Sequence, residues 1–200
     1  MKITDQSWEW IQKPAMPLEI IEKAGRTCYQ SEEKITPGSS AKFVKMIMNR
    51  GHESVIEHVS ASVRFVTNRG VMAELTRHRL CSFSVESTRY VRYDGGMEVI
   101  RPVWWDEWSE EERKTWEDAM HRSESAYRFL IESGSRPEQA REVLPNSLKT
   151  VICATANVRE WIHVFKLRAS PQAHPQIRAL MMDCLKGFQE AIPVIFDDIK

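Results

Sequence analysis

No apolar run in this 200-residue sequence approaches the ~20 residues that a membrane-crossing helix needs. The first twenty residues carry Trp8, Glu9, Trp10, Lys13, Pro14 and Pro17 instead of an apolar stretch, so no signal peptide is read there and a cytoplasmic protein is expected. The four cysteines, Cys28, Cys81, Cys153 and Cys184, form no CxxC pair, which argues against a zinc ribbon or a redox dithiol. They read as buried free thiols, with Cys81 set apart by surrounding arginines that would favour a thiolate. Neither GxGxxG nor GxxxxGK[ST] occurs, so a Rossmann dinucleotide domain and a P-loop NTPase are both unsupported. HESVIEH (His52 to His58) comes near a helical zinc motif, but Ile56 stands where the second histidine would have to be, and no metal is expected. Internal repeats, low-complexity tracts and linkers are missing as well, so a single domain over residues 1–200 is expected.

Net charge is missing too: 28 Lys and Arg balance 28 Asp and Glu, which argues against a general polyanion binder. The balance breaks locally. From Arg64 to Arg101 there are seven arginines, no lysine and four carboxylates, an excess of three positive charges. Arginine grips phosphate or carboxylate with a planar fork that lysine lacks. An arginine-only cluster therefore reads as a shaped anion site or as a set of surface salt bridges.

What is present is mostly helical. PLEIIEKAGRTCYQ and SSAKFVKMIMNRG read as helices, the second capped by Ser39 or Ser40, with Phe43, Val44, Ile47 and Met48 on one face and Gly51 beyond its end. ASVRFVTN alternates Val63 and Phe65 against Arg64 and reads as a half-buried strand. GVMAELTRHRL reads as a helix that carries Arg77, His78 and Arg79 in its last turn. SFSVESTRYVRY reads as extended, leading to a turn at Asp94 to Gly96 and a strand MEVIRPV, and the pair Trp104 and Trp105 reads as core. A long amphipathic helix over EEERKTWEDAMHRSESAYRFLIESG turns Trp116, Met120, Tyr127, Leu130 and Ile131 inward and stops at Gly134. A short helix RPEQAREVLP, a buried strand KTVICATAN, a helix VREWIHVFKLR capped by Asn157 and a last helix HPQIRALMMDCLKGFQEAI complete an α+β chain.

In RHR, Arg77 and Arg79 diverge around His78, and an extended segment after it would bring Ser87 and Arg89 to one face at strand spacing. Guanidinium forks, a hydroxyl and backbone donors suit phosphorylated ligands. RHR, seven residues (LCSFSVE) and Ser87 resemble the signature of the flavin-dependent thymidylate synthase family, and Thr88-Arg89-Tyr90 continues it. RTCY (Arg26 to Tyr29), GHESVIEH, AREVLP (Ala140 to Pro145), NVREWIHVFKLR (Asn157 to Arg168) and QIR (Gln176 to Arg178) are similar to further segments of that family in the same order.

The resemblance implies a small, mainly antiparallel sheet packed with several helices, in a homotetramer whose active sites lie at subunit junctions. It implies FAD and dUMP stacked together, methylenetetrahydrofolate as carbon donor, NADPH as reductant and no nucleic-acid partner. FAD is bound in that family without a Rossmann motif. Carried over by position, Ser54, Arg77, His78, Arg79, Asn157, Arg159 and His163 resemble the FAD contacts, with His52 beside them. Glu74, Arg77, Glu86, Ser87, Thr88 and Arg89 resemble the dUMP set, joined by Arg141 of a neighbouring subunit. Arg168 would lie against the pyrimidine as the catalytic arginine, a cation that favours the N3-ionised uracil and sends electron density toward C5. His163 could instead be a satisfied helix histidine, and Arg159 could pair with an acid. Ser87 reads as a ligand and not a nucleophile, since no base is placed to activate it. No cysteine sits in a PCH-like run, so methyl transfer should need no enzyme thiol. The chain departs from the family pattern at Val85, at Glu74 and in SPQAHPQIR after Arg168. Two other readings compete: a nucleic-acid module using the arginines with Phe83, Tyr90 and Tyr93, and a flavoenzyme of the same fold acting on another nucleotide.

Overall fold

A computed structural model describes residues 1–199; Lys200, the last residue of the expected domain, lies outside them. Among the described residues six strands form: β1 (Lys2–Thr4), β2 (Ser7–Gln12), β3 (Ser60–Asn68), β4 (Ser82–Val85), β5 (Glu98–Ile100) and β6 (Lys149–Asn157). Seven α-helices accompany them: α1 (Pro17–Thr27), α2 (Ser39–Asn49), α3 (Arg69–Leu75), α4 (Glu110–Glu132), α5 (Pro137–Ala140), α6 (Val158–Arg168) and α7 (Pro175–Ala191). The fold is α+β, as expected, with a four-stranded antiparallel sheet in the order β2-β3-β6-β4. Val158 N–H donates to the Val59 carbonyl and Arg69 N–H to the Leu148 carbonyl, so the β3 and β6 ends run in opposite directions. A parallel pair, β1 and β5, aligns Lys2 with Glu98 and Thr4 with Ile100.

The chain gathers into two compact units. The first comprises Met1–Trp8, Arg64–Arg77 and Phe83–Cys153; the second comprises Glu9–Val63, His78–Ser82 and the chain from Ala154 on. The second unit is built on aromatic packing. Phe188 is fully buried, with ring centroids 4.6 Å from Trp10, 4.9 Å from Phe165, 5.0 Å from Trp161 and 5.2 Å from Phe196. The Trp161 indole N–H donates to the Ala61 carbonyl at 3.1 Å, so this large side chain is buried without an orphaned donor. In the first unit, Met97, Val99, Met120 and Leu148 form a smaller apolar cluster. Glu124 lies beside it, accepting from Met97 N–H at 2.7 Å and pairing with the amino terminus at 2.9 Å. Burial opposes ionisation of Glu124, but the Met97 N–H, the terminal ammonium and His121 outweigh it and hold the carboxyl below the ordinary glutamate range.

Local chemistry accounts for most boundaries. Asn157 caps α6 through Glu160 N–H, Gly134 stops α4 at φ 90°, and Pro137 opens α5, all as expected. The cap of α2 differs. Gly38 occupies that position at φ 80°, and the Ser39 hydroxyl instead donates to Glu22 at 2.7 Å. α3 ends at Leu75, so Arg77, His78 and Arg79 follow the helix and do not lie in its last turn. The extended reading of SFSVESTRYVRY holds only to Val85: Tyr90 and Val91 N–H both donate to the Ser87 carbonyl, closing a turn. Ser87 and Arg89 therefore sit on a turn and not at strand spacing. Trp104 and Trp105 are half-buried, with Trp105 edge-on to Trp116 at 5.6 Å. β1 and β2 were not read from the proline-rich lead; β1 is three residues long and β2 alternates half-buried Trp8 and Trp10 with exposed neighbours.

Candidate active site

α6 is the chief framework. With Asn157 capping its start, Arg159 and His163 fall four residues apart on one helix face, followed by Lys166. They line one cavity of about 700 Å³ together with Glu53, Glu57 and Leu80. Arg159 donates to Glu57 at 2.6 Å and pairs with Glu53 at 3.0 Å, so the acid-paired reading of this arginine describes its contacts here. The Glu57 hydrogen bond above all strengthens its hold on the proton. A second cavity of about 290 Å³ shares Arg159 and Glu53 with the first and is lined also by His52, Ser54 and Tyr29. Expected cofactor residues Ser54, Asn157, Arg159 and His163 thus line two cavities that share a wall.

His78 follows a different logic from its neighbours in RHR. Arg77 and Arg79 are exposed, whereas His78 is buried at the start of a turn closed by Cys81 N–H on the His78 carbonyl at 2.9 Å. Nε2 of His78 accepts a hydrogen bond from Nε–H of Arg168 at 3.0 Å. Nδ1 lies 3.6 Å from a carboxylate oxygen of buried Glu160, and the His163 ring stands edge-on with centroids 5.6 Å apart. The expected catalytic arginine and the motif histidine are therefore in direct contact. Glu160 escaped sequence reasoning; an acid in the first turn of a helix is ordinarily explained by the helix dipole, and nothing local reveals that its carboxylate turns to His78.

Ligand-capable atoms of His78, Glu160 and His163 lie within 4.8 Å of one another, but the cationic Arg168 already occupies Nε2 of His78, so the group reads as a polar cluster around that arginine and not as a cation site. Cys81 is half-buried near them, and burial first and the Glu160 charge second push its thiol up to about 12. That overturns the expected thiolate: desolvation and a neighbouring carboxylate outweigh the exposed arginines. Cys28 is exposed, Cys153 half-buried and Cys184 buried, so the reading of these three as buried thiols fails at Cys28, is met in part at Cys153 and holds at Cys184.

In the first unit, the turn after β4 presents Glu86, Ser87, Thr88 and Arg89 in sequence. Glu86 accepts from the Tyr93 hydroxyl at 3.1 Å, Ser87 Oγ accepts from Arg89 N–H at 3.3 Å, and Thr88 is buried. The Arg89 guanidinium lies 5.5 Å from the Tyr90 ring centroid. Glu74 is half-exposed in α3, and Arg141 pairs with Glu142 at 3.5 Å at the start of a 3-10 turn. After Arg168, the divergent SPQAHPQIR segment builds a cap of its own: His174 Nδ1 accepts from Gln176 N–H at 3.2 Å, and Arg178 returns to the Ala169 carbonyl at 3.3 Å.

Comparison with known proteins bears on this assembly. Residues 10–194 match the family model described as thymidylate synthase complementing protein. The chain is 36% identical over 196 residues to the flavin-dependent thymidylate synthase of Geobacter sulfurreducens, covering 94% of this chain and 84% of that one. It is 33% identical over 211 residues to the enzyme of the same name from Corynebacterium glutamicum, covering 96% and 83%. A crystal structure of the UMP/dUMP methylase PolB from Streptomyces cacaoi bound with 5-Br dUMP superposes with a TM-score of 0.86 at 24% identity, over 98% of this chain and 96% of that one, which shows the shared fold. With the family model spanning nearly the whole chain and the relatives agreeing in name, this protein is an enzyme and belongs to the flavin-dependent thymidylate synthase family.

Proposed function

We propose that the protein carries out the reductive methylation of dUMP to dTMP, with FAD as cofactor, methylenetetrahydrofolate as one-carbon donor and NADPH as reductant. The observation that carries this reading is the convergence of Asn157, Arg159, His163 and Lys166 on one cavity, beside a direct Arg168–His78 hydrogen bond. The donor set suits a dinucleotide: cationic side chains can meet a diphosphate where no glycine-rich loop exists, and the linked cavities offer room for an extended ligand. Bound there, a flavin supplies the hydride that completes the methyl group.

Within this reading the protein's own residues divide the work. Arg159 and Lys166 neutralise phosphate charge, with Glu53 and Glu57 holding Arg159 in place until a ligand competes for it. Ser54, His78, Arg79, Asn157 and His163 complete the cofactor side, and Arg77 serves both ligands. Ser87, Thr88 and Arg89 receive the phosphate and ribose of dUMP, with Glu86, Glu74 and Arg141 of a neighbouring subunit completing that set. Arg168 stays cationic against the pyrimidine and stabilises negative charge on it, which makes C5 the nucleophile. The active unit is a cytoplasmic homotetramer of single-domain subunits.

The test is dTMP formation by purified protein under anaerobic conditions from dUMP, methylenetetrahydrofolate and NADPH, with FAD present or stripped. Product that requires FAD is expected. UMP is the informative control acceptor, since the structural neighbour is named for both nucleotides; methylation of UMP but not dUMP would overturn the proposed substrate.

A further inference from the structure

We propose that Glu160 is a positioning residue for Arg168, acting through His78. The inference rests on the reading that Arg168 faces the pyrimidine. Its starting point is a pair of buried ionisable side chains whose exposures are 4% for His78 and 8% for Glu160. The contact with Arg168 reveals which atom of the imidazole carries the proton. Nε2 of His78 receives the Arg168 Nε–H at 3.0 Å and must present a lone pair. A neutral imidazole has one N–H and one lone pair, so the proton belongs on Nδ1, the atom that lies 3.6 Å from the Glu160 carboxylate. A carboxylate on that side favours the same placement electrostatically. The opposite tautomer would point an N–H of His78 at the N–H of Arg168, donor against donor, and the guanidinium would have to turn away.

Glu160 thus selects the tautomer, the tautomer accepts Arg168, and the bond to Nε sets the plane of the guanidinium. The spacing supports the sequence of effects. Glu160 stands in the first turn of α6 and Arg168 at its last residue, too far along the helix for direct pairing. His78, arriving from the turn after α3, spans that gap. Asn157 further fixes Glu160, since its side chain accepts from the Glu160 backbone N–H at 2.9 Å.

The experiment is long-range proton–nitrogen NMR on protein labelled at histidine nitrogen, as purified and near neutral pH, with the His78 signals assigned by their loss in His78→Gln. Wild type is expected to show His78 protonated at Nδ1 and unprotonated at Nε2. Glu160→Ala should shift the proton toward Nε2. Glu160→Gln, whose amide oxygen can face Nδ1 where the carboxylate oxygen stood, should retain the wild-type tautomer and most of the activity. In turnover assays Glu160→Ala is expected to lose kcat by about tenfold or more, by analogy with the partners that orient metal-bound histidines, with flavin content little changed. An Nε2-protonated or doubly protonated His78 in wild type would overturn the proposal, as would a Glu160→Ala spectrum identical to wild type. If Glu160→Ala does not fold, Glu160→Asp, whose shorter side chain draws the carboxylate back from Nδ1, is read in its place, and a tautomer and kcat both identical to wild type would overturn the proposal. Because the spectrum is read without turnover, failure of the wild type to make dTMP would remove the catalytic reading and not the proton placement.

Discussion

Arg159 and Arg168 of the second unit are held in a different way from Arg89 of the first. In the second unit Arg159 lies between Glu53 and Glu57, and Arg168 is bonded to a histidine that itself faces a buried glutamate. In the first unit, Arg89 has the Tyr90 ring for a neighbour, and the turn around it is held by main-chain bonds to Ser87. Prior pairing fixes geometry at the cost of competition with the ligand, whereas a turn offers donors that a ligand can engage without displacing a carboxylate. The contrast suits a cofactor that stays and a substrate that comes and goes.

The largest effect should come from breaking the aromatic frame on which the second unit depends. Phe188→Ala is expected to destabilise the protein by about 3–5 kcal/mol, measured by denaturant unfolding, because four aromatic rings close on Phe188. A loss below about 1 kcal/mol would mean that the cluster repacks around the space. Next comes Arg168→Lys, which keeps the charge but loses the Nε donor and the fork. It should lower dTMP turnover by about 100-fold while flavin absorbance of the purified protein is retained; equal loss of both would place Arg168 on the cofactor instead.

In the first unit the sensitive group is Glu124. Its carboxyl titrates lower folded than unfolded, so its contribution is present above the unfolded value of about 4.3 and is lost as pH falls through the folded value. Glu124→Gln should therefore flatten the fall of Tm between neutral pH and pH 3, and an unchanged slope would assign acid sensitivity elsewhere. Smaller still is Glu57→Gln. Releasing Arg159 from its closest acid should tighten flavin binding a few-fold at low salt, by fluorescence titration, with little change in Tm because the pair is exposed. Finally, alkylation near pH 8 should label exposed Cys28 well before Cys81, whose thiol titrates near 12. Equal rates would show that Cys81 carries a thiolate after all.

Where a structural element depends on its own residues, the sequence already displays it. The β6 strand, the Asn157 cap and the full extent of α6 are legible because alternation, capping and helical spacing are all local there. β1 and β2 were missed because one is three residues long and the other's alternation is carried by only two tryptophans beside a proline-rich lead. RHR was misplaced for a related reason. Helical propensity continues past Leu75, but burial of His78 and the turn to Cys81 stop the helix. Ser87 and Arg89 read as extended because Ser, Thr, Val and Tyr favour strands, whereas the observed turn depends on two N–H groups meeting one carbonyl.

By itself the sequence determined the residue types, their order and their local periods, and through RHR, the spacing to Ser87 and the segments around it, the family. Only the tertiary structure decided which charges meet. Glu160, His78 and Arg168 are distant or unremarkable in sequence, and their alignment arises when the turn after α3 packs against α6. Hydrogen bonds and Coulomb interactions act over a few ångströms of space and carry no period along the chain, so the partner of a buried charge is known only once the chain has folded.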